Sequence, residues 1–232
     1  MTAPTRPTVV LVHGLARTRH SMAGLQRHLE RAGYPTWARS YPSRRRTIAG
    51  AADEIAGWLA RDLPSGQPLV AVTHSLGGVV IRHLAARVPF QQIVMLAPPS
   101  QGSRVSRVFQ ERALYRWFFG PAGQELAAAH AGDPAWPPLS VPFAVIAGTR
   151  GRALANPTSW LTGGGGYFAD GQPHDGTLAV DETPMPGMTA FATVDASHTW
   201  IMNDQRVREL VVQFLETNAF ASGAGRTQGG GP

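Results

Sequence analysis

The chain has 232 residues, 43% of them hydrophobic and 16% charged, which describes an ordinary globular protein of one domain with a sizeable core. It contains no cysteine, so disulfides and thiolate metal sites are excluded. Its net charge is +6 and all 21 basic residues are arginine, but the only dense basic run, Arg44-Arg45-Arg46, reads as a solvated loop before a helix and not as a nucleic-acid patch.

Met1 to Thr8 has no apolar core of the kind a signal peptide needs, and no run of about 18 apolar residues exists to span a membrane. The expected compartment is the cytoplasm. Thr8 to Val12 is a β-branched apolar run, read as the first core strand, ending at His13-Gly14. Ser21 is placed to cap a helix carrying Met22, Leu25 and Leu29, closed by Gly33. Pro35 to Arg39 is a second short strand. Thr47 opens a second helix with Ile48, Ala51, Ala52, Ile55, Trp58 and Leu59 on one face. Leu69 to Thr73 is a third strand, and Leu76 to Arg87 the helix after it. Gln92 to Leu96, Phe143 to Ala147 and Thr189 to Val194 are further strands. Asn203 is read as the cap of a last helix carrying Val207, Leu210, Val211, Phe214 and Leu215.

Strands alternating with helices predict an α/β fold, a parallel sheet with helices on both faces and a ligand site outside the C-terminal strand ends. Two segments break the alternation. Residues 104–138 carry several aromatic side chains, including Trp117, Phe118 and Phe119, and are longer than a plain crossover needs. They are expected to form a small helical cap above the sheet edge, with Phe118 and Phe119 lining an acyl pocket. Arg150 to Gln172, with Gly163 to Gly166 in a row, is expected to be an irregular loop near the site's rim. A single folded domain is expected to span 1–218, and the Gly-rich tail 219–232 to be disordered.

The chemistry centres on Leu69 to Ile81, an apolar strand, an abrupt turn and a helix. Ser75 sits at the turn in a G-x-S-x-G pattern with Thr73 in place of the first glycine. A serine hydroxyl needs an imidazole to take its proton and an acid to orient that imidazole. Of His83, His130, His174 and His198, His198 lies in the loop between the last strand and the last helix, where the base belongs. For the acid, Asp175 lies 23 residues before it (198 − 175), with Asp181 and Asp170 as alternatives. Asp195, three residues before His198, reads as a local turn partner. The tetrahedral oxyanion needs preorganised donors, for which the backbone amides of Leu76 and Leu15 are the candidates. His13 is expected to brace its loop, and His13 and His74 are also candidate substrate contacts. No His-Glu-x-x-His pair or G-x-G-x-x-G loop is present, so neither a metal nor a nucleotide cofactor is expected.

Taken together, Val12-His13-Gly14-Leu15, Thr73-His74-Ser75-Leu76-Gly77-Gly78, Ala97 to Ser103, Asp175 to Val180 and Ser197-His198-Thr199 resemble the α/β-hydrolase superfamily. The resemblance runs from about Thr8 to Phe214. Within the superfamily, the Pro-Pro-x-x-Gly-Ser and Asp-Gly-Thr-x-x-Val elements are similar to those of small PGAP1-like and triacylglycerol-lipase-like hydrolases. It implies a minimal core of about six strands, Ser75 as nucleophile, Asp175 as acid, His198 as base, and the Leu15 and Leu76 amides as oxyanion donors. The implied partner is a small-molecule ester, with no cofactor. An acyltransferase or thioesterase on the same machinery, or a non-catalytic binding protein of this fold, are the competing readings.

Overall fold

The computed structural model describes residues 6–109, 111, 113–129, 136–151 and 168–220. Strands β1 (Thr8–Val12), β2 (Thr36–Ala38), β3 (Leu69–His74), β4 (Phe90–Leu96), β5 (Phe143–Gly148) and β6 (Ala190–Val194) form one sheet in the order β2-β1-β3-β4-β5-β6. Every neighbouring pair is parallel, where a mostly parallel sheet was expected. The strands read as continuous apolar runs because both faces are covered. Val9, Leu11, Val70, Val72, Val94, Leu96, Ala144 and Ile146 pack on one side, against α1 (Ala23–Arg31) and α6 (Gln205–Thr217). Val10, Val12, Ala71, Ile93, Met95, Phe143 and Val145 pack on the other, against α2 (Ile48–Asp62) and α3 (Leu76–Ala85). This is the α/β-hydrolase architecture with six strands.

Two helix starts differ from expectation. Ser21 does not cap α1. It lies inside a tight turn, Arg19–Met22, and its hydroxyl donates back to the Thr18 carbonyl at 2.8 Å. Nor does Asn203 cap α6. It ends the turn Ile201–Asn203, and Asp204 takes the cap position, accepting from the Val207 amide at 3.2 Å. Thr47 caps α2 as expected, accepting from Gly50 at 3.0 Å. Gly33 follows α1 at φ +85°.

Between β4 and β5 lie α4 (Arg104–Phe109) and α5 (Ala113–Ala128). α5 is bent at Gly120, whose φ of 62° and ψ of −160° are open essentially to glycine alone, with Pro121 next. Beyond the bend the chain returns to the body. Ala122 and Leu126 are buried in the α2–α3 core, and the Glu125 carboxylate accepts the N–H of Ile48 at the start of α2, at 3.0 Å. Trp136 is buried too, with the Arg82 guanidinium donating to the carbonyls of Trp136 and Pro137, both at 2.6 Å. Part of the segment expected to stand above the sheet edge thus packs into the core. Of the tail expected over 219–232, Phe220 is described and tilts against Phe214 at 5.8 Å between ring centroids. His130, the Gly163–Gly166 run, the side chain of Phe118 and residues 221–232 lie outside the described residues. No helix among the described residues is long and apolar enough to cross a membrane.

The bend gives a direct prediction. A β-carbon on Gly120 would run into the Arg44 carbonyl, and its backbone conformation disfavours any side chain. Gly120→Ala is expected to lower the unfolding free energy by about 1–3 kcal/mol in a urea titration.

Candidate active site

β3 ends in the middle of the sheet, so the turn that follows it opens at the C-terminal edge, flanked by the ends of β1 and β4. Ser75 occupies this turn at φ 51° and ψ −122°, outside the regions that L-residues favour. Its N–H donates to the Leu96 carbonyl at 2.9 Å, and its own carbonyl accepts from Gly78 at 2.8 Å. The glycines make the turn fit. A β-carbon on Gly77 would lie 2.5 Å from the Val12 carbonyl, and one on Gly78 would lie 2.6 Å from Pro98 Cβ. Thr73 stands where a glycine is usual, yet it is accommodated. Its register partners are Val12 and Met95, on the α2–α3 face, so its branched side chain enters that apolar layer away from the turn. The cost is a buried hydroxyl with no hydrogen-bond partner among the described residues.

The loops after β5 and β6 bring the other two side chains to the serine. His198 Nε2 lies 3.0 Å from Ser75 Oγ, and His198 Nδ1 lies 2.7 Å from Asp175 Oδ2. A carboxylate only accepts, so Nδ1 carries the imidazole proton and Nε2 receives the serine O–H. Asp175 is fully buried. Its Oδ1 accepts from the amides of Thr177 and Leu178 at 2.9 and 2.8 Å, leaving Oδ2 for the histidine. The backbone N–H of His198 donates to the Asp175 carbonyl at 3.0 Å, so the pair is joined twice.

The alternatives for the acid are held elsewhere. Asp181 is exposed and takes a two-point contact from Arg104 at 2.9 and 3.0 Å. Asp170 is exposed. Asp195 is not a turn partner of its own loop but pairs with Arg150 through two bonds of 2.8 and 3.1 Å. His174 stacks on Phe168 at 4.0 Å and accepts from the Gly176 amide through Nδ1. His83 sits on α3, with Nε2 buried and unpartnered among the described residues.

The loop after β1 packs directly on the serine, since a β-carbon on Gly14 would lie 3.1 Å from Ser75 Cβ. His13 is fully buried beneath this loop. Its Nδ1 donates to the Gly14 carbonyl at 2.9 Å, and its Nε2 accepts from the Tyr41 amide at 3.2 Å. Tyr41 stacks on the ring at 4.3 Å and donates its hydroxyl to the His13 carbonyl at 2.8 Å. Because a trans peptide sets C=O and N–H on opposite sides, fixing the Gly14 carbonyl also fixes the direction of the Leu15 N–H. Ser43 Oγ accepts the next amide, Ala16, at 3.1 Å. The N–H groups of Leu15 and Leu76 enter no hydrogen bond among the described residues.

Two of the expected substrate contacts, His13 and His74, are both buried: both ring nitrogens of His13 bond within the protein, and His74 Nε2 donates to the His198 carbonyl at 2.9 Å. Phe119, on α5, is half-buried. Four supporting residues were not legible in sequence. Tyr41 and Ser43 hold the β1 loop, and no periodicity marks them. Gly148 ends β5, where a β-carbon would lie 2.4 Å from the Ala196 carbonyl and 2.9 Å from Asp175 Cβ. Glu182 is buried, accepting the amides of Ala179 at 2.8 Å and Arg104 at 2.6 Å, which ties the acid's loop to the start of α4. Burial pushes its carboxyl pKa up.

A strained serine, an imidazole and a buried carboxylate in one line, at the C-terminal edge of a parallel sheet, define the layout of an α/β-hydrolase. The chain belongs to the alpha/beta hydrolase family, whose model matches residues 9–223. Solved structures agree on the fold. The mature lipase BlEst2 of Bacillus licheniformis is 16% identical, with a TM-score of 0.74 over 93% of this chain and 94% of that one. The metagenomic carboxyl esterase MGS0156 is 19% identical, with a TM-score of 0.65 over 92% and 76%. The type II thioesterase YbtT of the yersiniabactin pathway is 16% identical, with a TM-score of 0.57 over 93% and 94%. No curated protein matches the sequence.

The buried histidines set a pH dependence. Burial lowers the pKa of His13 from 6.5 to about 4. The unfolded chain therefore binds more protons than the folded one between these values, and stability falls as pH falls through that window. The difference corresponds to about 3 kcal/mol. Urea unfolding of His13→Gln at pH 7 and pH 4 is expected to show a loss smaller than the wild type's by up to about that amount.

Proposed function

We propose that this protein is a serine hydrolase that cleaves a carboxylic ester through an acyl-enzyme. The observation that carries the reading is the continuous contact from Ser75 Oγ to His198 Nε2 at 3.0 Å and from His198 Nδ1 to Asp175 Oδ2 at 2.7 Å. Ser75 attacks the ester carbonyl as His198 takes its proton. Asp175 holds the imidazole in the required tautomer and stabilises the imidazolium as it forms. The negative charge that develops on the carbonyl oxygen is met by the amides of Leu15 and Leu76, the second at the N-terminus of α3, each worth a few kcal/mol. His198 then returns the proton to the leaving alcohol. Water, activated by the same imidazole, releases the acid. No metal or cofactor enters these steps.

In this reading α4 and the first half of α5 cover a lipophilic acyl group. The competing acyltransferase and thioesterase readings use the same attacking groups and differ in the acceptor or the leaving group. A p-nitrophenyl ester series with and without a competing alcohol, beside an acyl thioester, separates them. Labelling by a fluorophosphonate probe separates all three from a non-catalytic binding protein.

Ser75→Ala is expected to lose ester turnover by at least about 10⁴-fold and to keep the wild-type melting curve. A variant retaining most of its activity would place the nucleophile elsewhere. Asp175→Asn is expected to cost on the order of 10³- to 10⁴-fold in kcat, whereas Asp181→Asn leaves kcat within about threefold. The reverse ranking would reassign the acid.

A further inference from the structure

We propose that His74, the residue before the nucleophile, is a positioning residue that locks the base and the oxyanion loop to the turn bearing Ser75; this rests on the triad proposed above. The ring stands where three parts of the site meet. On one side its Nε2 donates to the backbone carbonyl of His198 at 2.9 Å, and the two imidazoles lie 5.0 Å apart at 49°. On the other side its Nδ1 faces the β1 loop, lying 3.0 Å from where a β-carbon on Gly14 would stand. Through its own peptide bond it is joined to Ser75. The ring is essentially inaccessible to solvent.

His198 is consequently held on three sides. Asp175 takes its Nδ1–H and its backbone N–H, and His74 takes its carbonyl. The first two bonds pull the base toward the loop after β5. Of these three, the last alone reaches β3, the strand that leads into Ser75, and it does so through the backbone of His198, beside the Nε2–Oγ contact itself. A displacement of a fraction of an ångström between Nε2 and Oγ changes the geometry of proton transfer, so the tie acts on the chemical step and not on substrate binding.

The position also calls for a neutral donor. Nδ1 of His74 has no partner among the described residues, so a proton there would be a buried charge without an acceptor. Burial and the neighbouring His198 hold the ring's pKa well below 6.5. A neutral ring can donate through Nε2 while His198 becomes cationic beside it. A permanently charged side chain would repel the imidazolium at the moment it forms.

The test compares His74→Gln, His74→Leu and His74→Asn with the wild type and Ser75→Ala on one p-nitrophenyl ester. The Gln amide nitrogen reaches about as far as Nε2. Leu has no donor, and the Asn amide stops short of the His198 carbonyl. We expect Gln to keep kcat within about fivefold, and Leu and Asn to lose about 30-fold or more with KM within twofold. Should Leu fail to fold, the Gln–Asn pair decides alone. Wild-type kcat in Leu or Asn, or a Gln variant as impaired as they are, overturns the proposal with the triad intact. Wild-type turnover by Ser75→Ala overturns the triad and this proposal together.

Discussion

A serine held at φ 51° is the constraint on which the rest of the site depends. Such a conformation costs a non-glycine residue about 1–3 kcal/mol and persists only where the surroundings enforce it. Here the enforcement comes from three directions. The β4 end accepts the Ser75 N–H at Leu96, α3 is buried along almost its whole length, and the β1 end closes on Gly77 so tightly that no side chain fits. The turn lifts the hydroxyl out of the sheet edge and leaves the Leu76 amide at the head of a helix. The proposed nucleophile and the proposed oxyanion donor are therefore two consequences of one backbone geometry.

Four histidines near this edge show how environment assigns roles to one residue type. His198 has a carboxylate on one nitrogen and a hydroxyl on the other, so it can pass a proton between groups. His13 has a carbonyl on one nitrogen and an amide on the other, which fixes a tautomer and, with it, a peptide plane. His74 has a carbonyl on one nitrogen and no partner on the other among the described residues, so it is held neutral. His174 lies against Phe168, outside the line of the triad. Burial of His13 and His74 keeps both rings neutral beside His198, at the cost of stability in acid.

The acid was the least determined member of the set when only the order of residues was known. Four aspartates, Asp170, Asp175, Asp181 and Asp195, lie between β5 and His198. What separates them is charge partnership. Asp181 and Asp195 are each satisfied by an arginine distant in sequence, Arg104 at the start of α4 and Arg150 after β5, and such pairings carry no local pattern. Asp175 instead collects two amides from its own turn, a local motif, and that turn is anchored through buried Glu182 to the segment that begins α4. The connection ties the Asp175 turn directly to the start of α4.

The order of residues was enough for the sheet, the alternation of helices, the turn at Ser75 and the position of His198 between the last strand and the last helix. These follow from apolar runs, glycine placement and capping threonine, which act within a few residues of one another. It misplaced the caps of α1 and α6, where a one-turn helix precedes each, and it did not show that the rings of His13 and His74 are buried against the protein's own backbone. It gave no sign of Tyr41, Gly148 or Glu182, nor of the return of α5 onto the core beyond Gly120. Each of these depends on surfaces more than 25 residues apart in the chain. Local forces decide which elements form, whereas the direction of a buried ring or carboxylate is set by whichever unpaired backbone group the folded chain brings against it.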